Sequence, residues 1–86
     1  MLDKFAEQVL DVMNEYSFMI NHEKKKIKEV SRTIKRIIEI NENTENKIDL
    51  EVYIKDRDEH LKNLAELKQD AKKINRIYKI LMKSEE

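Results

Sequence analysis

Glu23, Arg57 and His60 are the residues of this chain whose types could do chemistry, because each is polar at a position where its surroundings are apolar. A carboxylate within reach of an imidazole is the pairing used both by general acid–base catalysis and by pH switches. Folding the chain about residues 43–44 sets Glu23 within about one helical turn of His60, so a contact between them is expected. Catalysis needs more than a pair: a nucleophile or an oxyanion donor, and a pocket around the reacting atoms. The sequence offers neither beside these residues. The pair is expected to fix register in a core, with long side chains such as Arg57 reaching out to water, and no enzymatic activity is expected.

A metal site could be imagined from His22, Glu23, Asp56 and His60. Di-metal helical bundles use Glu-x-x-His, with further glutamates pointing inward. Here the residue three before His60 is Arg57, and the one three before His22 is Met19. A cation and a thioether where a carboxylate is needed exclude that pattern, and the chain has no cysteine to supply thiolate. No metal, cofactor or small-molecule substrate is expected.

The basic run Lys24, Lys25, Lys26 and Lys28, followed by Arg32, Lys35 and Arg36, could neutralise phosphates and release counterions, which gives affinity independent of sequence. No aromatic residue interleaves with it to stack bases, no helix-turn-helix spacing is present, and the formal net charge is zero. Nucleic-acid contact through Lys24, Lys25, Lys28, Arg32, Lys35 and Arg36 is therefore the alternative expectation, behind a solvated face. Phe18 falls in an outward column beside Met19 and suits a docking patch for another protein. The amphipathic stretch 2–20 has an acidic polar face, which anionic lipid repels, so no membrane binding is expected.

The elements that must carry these residues follow from what the chain lacks. It has no glycine and no proline in 86 residues, and these are the residues that tight turns draw on. The polar stretch 41–46, Asn-Glu-Asn-Thr-Glu-Asn, is the one clear break. Before it, Ala6, Met13, Ile20, Ile27 and Ile34 form one heptad column, and Val9, Tyr16, Val30 and Ile37 a second that Glu23 interrupts. After it, Leu50, Leu64, Ala71 and Tyr78 form a column broken by Arg57; Tyr53, Leu67, Ile74 and Leu81 form one broken by His60. This spacing predicts an all-α chain with one domain: a helix over 2–40, a loop over 41–46 and a helix over 47–83. Asn46 is the expected cap of the second helix, with Asp49 in capping-box position. The frame runs unshifted past Asn21-His22, so the first helix is expected to be continuous.

Charge placement predicts how the helices meet. Asp3, Glu7, Asp11 and Glu15 make the start of the first helix acidic, and Lys68, Lys72, Lys73, Arg76, Lys79 and Lys83 make the end of the second basic. Near the loop the signs reverse, with Lys24–Arg36 facing Asp49, Glu51, Asp56, Asp58 and Glu59. An antiparallel hairpin sets unlike blocks side by side at both ends.

The apolar face is narrow near the loop and broad near the termini, where Phe5, Val12 and Met19 add a third column to the first helix and Ile77, Ile80 and Met82 widen the second. One neighbouring helix cannot cover so wide a face. The hairpin is therefore expected to dimerise into a four-helix bundle, or to dock on another protein, through Leu2, Phe5, Val9, Val12, Met13, Tyr16, Met19, Ile74, Ile77, Tyr78 and Leu81. Charged residues make up 42% of the chain without net sign, which suits ion-paired, solvated helix faces. An acidic start and the lack of any long apolar run predict neither a secretion signal nor a membrane span, and hence a cytoplasmic protein. Together these features predict a protein–protein interaction module (an adaptor, assembly factor or small inhibitor of the kind phages and mobile elements encode). A subunit of a hetero-oligomeric helical complex is a further alternative.

Overall fold

The computed structural model describes residues 2–84, with the side chains of Leu2, Asp3 and Ser84 left out of the description. Helix α1 spans Leu2–Glu42 and helix α2 spans Glu51–Ser84, and no strand occurs among the described residues. The two pack antiparallel as a rod of 68 × 15 × 14 Å. Helix α1 runs without interruption through Asn21-His22. Among the described residues no helix is long and apolar enough to cross a membrane.

The heptad frame is visible in the exposure of the side chains. Ala6, Ile34 and Ile37 are buried, and the other column residues, from Val9 to Val30 and from Leu64 to Leu81, are half-buried. Tyr53 alone among the apolar column residues of α2 is exposed. Two helices bury one seam, and this seam is shallow. The chain exposes 7239 Å², where a globular chain of its 10.4 kDa mass exposes about 5,400 Å².

The connection between the helices differs from the one the sequence predicts. Helix α1 continues to Glu42 instead of ending at 40, and α2 starts at Glu51 instead of 47, so the connection covers 43–50. Two asparagines account for this. Asn43 ends α1, its backbone N–H donating to Ile40 O at 3.0 Å and its Nδ2 donating to Glu39 O at 3.0 Å. Asn41 brackets the backbone of Ile48, with Oδ1 accepting from Ile48 N–H at 2.8 Å and Nδ2 donating to Ile48 O at 3.0 Å. Held at both polar groups, Ile48 cannot enter a helix. Asn46 therefore does not cap α2. Leu50 O accepts the first helical bond, from Ile54 N–H at 3.0 Å, and Asp49 Oδ1 accepts from Glu51 N–H at 2.9 Å. An acidic oxygen beside the first N–H groups also suits the positive end of the helix.

The late start of α2 leaves α1 overhanging. Glu23 lies directly against His60, which sets Glu51 level with Arg32–Thr33 and leaves about ten residues of α1, roughly 15 Å, beyond the end of α2. The extended connection runs back beside this overhang. Ile34 and Ile37 are buried there, but Ile38, Ile40, Ile48, Val52 and Ile54 remain exposed. The expected narrow apolar face near the loop is thus corrected: both ends of the hairpin show uncovered apolar side chains.

Candidate functional site

His60 and Glu23 bridge the helices at mid-length. His60 Nδ1–H donates to Glu23 Oε2 at 2.6 Å, and both side chains are partly buried, 23% and 16% exposed. The other ring nitrogen, Nε2, lies 3.4 Å from Asp56 Oδ1, one turn earlier on α2. The sequence placed the first pair; it grouped Asp56 with His60 only as a conceivable metal ligand and not as an ion-pair partner, although the i, i+4 spacing is the ordinary signal for such a contact. Arg57, the third expected core polar residue, takes no part. Its Nη2 lies 3.7 Å from Asp58 Oδ1, and its Nε is buried without a hydrogen-bond partner. Among the described residues no three acidic or histidine side chains are grouped so as to hold a metal ion.

An open groove of about 520 Å³ lies on one flank of the seam beside this pair. Met19 and Leu67 line it with apolar surface, exposed Phe18 stands at its edge, and His22, Glu23, Asn63, Glu66 and Asp70 add polar lining. Glu23 links the groove to His60, which is not among the lining residues. The arrangement joins two helices through a charge-assisted hydrogen bond.

The same flank continues to the termini. There a groove of about 250 Å³ is lined by Phe5, Gln8, Val9, Val12, Ile74 and Ile77. The two grooves share a flank for a simple reason. Phe5, Val12 and Met19 each precede a column residue of α1, as Asn63, Asp70 and Ile77 do in α2, and antiparallel packing brings these preceding positions together. Of the interface residues read from the sequence, Phe5, Val12, Met19 and Ile77 are exposed. Val9, Met13, Tyr16, Ile74, Tyr78 and Leu81 are half-buried in the seam beneath them. Leu2 lies outside the described side chains. Phe18 is 74% exposed at the rim of the larger groove. The opposite flank carries Leu10, Ile38, Ile54, Leu61 and Met82, all exposed, a stripe of which the sequence reading singled out Leu10 and Met82 but not Ile38, Ile54 and Leu61. The positions immediately after column residues would have shown it.

Lys24, Lys25, Lys28, Arg32, Lys35 and Arg36 are all exposed. Among the described residues, the acids of α2 make no ion pair with them: Asp56 faces His60, Asp58 faces Arg57 and Glu51 faces Lys55. The nearby Lys26 pairs with Glu29 of its own helix, at 4.0 Å. The opposed charge blocks thus sit on the outer faces of their helices, where they favour the antiparallel arrangement at a distance without forming bridges across the seam. Comparison with protein-family models, curated proteins and solved structures finds no match to this chain.

Proposed function

We propose that the chain is a non-enzymatic protein–protein interaction module, working as a homodimeric helical bundle whose remaining faces engage another protein. The observation that carries this is the uncovered surface. The hairpin exposes about 1,800 Å² more than a globular chain of its mass, and a standard interface buries about 800 Å² on each partner. Phe5 is 53% and Ile77 48% exposed, on one groove. Placing one such side chain in contact removes on the order of 100 Å² from water, about 2 kcal/mol per copy. The solution mass tests the reading: the wild type is expected to run as a dimer, and Phe5→Glu combined with Ile77→Glu as a helical monomer. A monomeric wild type overturns the homodimer.

A second reading, nucleic-acid binding, draws on one observation: the basic stripe from Lys24 to Arg36 is exposed and unpaired with α2. It faces away from the seam, so dimerisation through the grooved flank leaves it open. The zero net charge and the lack of stacking aromatics on the stripe place this reading second.

A further inference from the structure

Resting on the protein-interaction reading, we infer that the two hollows beside Phe18 are the docking site for a basic amphipathic helix of another protein. Its apolar side chains lie on Phe18, Met19 and Leu67, and its Lys or Arg side chains meet the carboxylates around them.

Phe18 and Met19 are shared by the open groove of about 520 Å³ at mid-length and by a second open hollow of about 480 Å³, to which Asn14 and Glu15 belong. Together the two hollows carry the carboxylates of Glu15, Glu23, Glu66 and Asp70, and neither is lined by any Lys or Arg. His22 is the only lining side chain that can take a positive charge. This is a marked local bias in a chain with 18 basic and 18 acidic residues. Glu23 is bonded to His60. Among the described residues Glu15, Glu66 and Asp70 form no ion pair.

The lining decides what can cover the hollows. A wholly apolar partner would strip water from the carboxylates and leave them unpaired, and an acidic one would add like-charge repulsion. A second copy presenting the same hollow sets carboxylate on carboxylate. The homodimer reading draws instead on the terminal groove of Phe5, Val12 and Ile77, whose lining carries no charge. A segment with Lys or Arg on both sides of an apolar stripe suits the apolar lining and the carboxylates at once. Shape selects a helix. The lining residues run over 14–23 of α1 and 63–70 of α2, roughly 10–14 Å of each helix. A third helix laid along a seam between two others presents apolar side chains at i, i+3, i+4 and i+7 over that length. Exposed Phe18 supplies an aromatic anchor for it to bury.

The probes are two synthetic helical peptides, one with leucine at i, i+3, i+4 and i+7 and lysine on both flanks, the other with glutamate in place of lysine. Binding to the full chain is read by fluorescence anisotropy, with the solution mass taken on the same samples. The lysine peptide is expected to bind at least about tenfold tighter than the glutamate peptide. Glu66→Lys with Asp70→Lys, both exposed, reverses this preference, and Phe18→Ala weakens the lysine peptide about tenfold. Glu7→Lys with Asp11→Lys, at exposed positions that line neither hollow, leaves it unchanged. Equal binding of the two peptides, no binding of the lysine peptide, or equal losses from the two charge-reversed pairs overturns the inference. A Glu66→Lys, Asp70→Lys chain that loses the dimer mass of the wild type gives the hollows to a second copy and overturns it as well. A wild type of single-chain mass that shows the expected peptide preference overturns the homodimer and leaves the docking site standing.

Discussion

Replacing the polar pair at the centre of the seam separates a structural role from any other. His60→Leu removes the group that donates to Glu23 Oε2 at 2.6 Å. It leaves a carboxylate that is 16% exposed against an apolar neighbour. Stranding such a group costs about 1–3 kcal/mol, and each kcal/mol lowers the melting temperature of a domain this small by about 4–8 °C. Glu23→Leu is milder, because the imidazole keeps Asp56 at 3.4 Å. The double variant fills the layer with leucine next to Ile20 and Leu64 in the column frame. Replacing both members of a polar pair in a helix seam by packed apolar residues is often neutral or stabilising, so the double variant is expected to melt at or above the wild type. Unfolding followed by circular dichroism, at one pH and one protein concentration, yields the coupling energy. Concentration is held fixed because association shifts the melting temperature. A double variant that melts below the wild type by the sum of the two single losses, meaning no coupling, would refute the reasoning.

Asn41→Ala removes both bonds to Ile48 at once. Each is worth about 0.5–1.5 kcal/mol, and the loss should appear as faster amide exchange at Ile48 and a lower melting temperature; unchanged protection at Ile48 would show that the bracket does not hold the connection. If the basic stripe binds nucleic acid, affinity for a short duplex falls with salt at a logarithmic slope of about −0.9 per phosphate contacted. Lys25→Glu with Arg32→Glu then weakens binding and flattens the slope, and indifference of binding to these changes removes the stripe from any such role.

Much of the hairpin was legible because its signals are periodic. The heptad columns predict which side chains turn inward, and the absence of glycine and proline leaves one place for the chain to reverse. The Glu23–His60 contact was legible as two interruptions of opposed columns. The start of α2 was not, because it depends on Asn41 gripping a backbone seven residues away, and such a grip has no pattern in the sequence. From that one shift follow the overhang of α1 and the exposure of Ile38, Ile40 and Ile48. Charge blocks told which way the helices run but not which charges touch: among the described residues the carboxylate contacts of His60 and Arg57 come from nearby on α2, except for Glu23.

The central claim is that the terminal groove is covered by a second copy of the chain. Light scattering coupled to size exclusion, at low and at high salt, tests it most directly. The account predicts a mass twice 10.4 kDa at both salts, because the contact is apolar at its core. A mass of 10.4 kDa across the concentrations at which the protein stays soluble would contradict it.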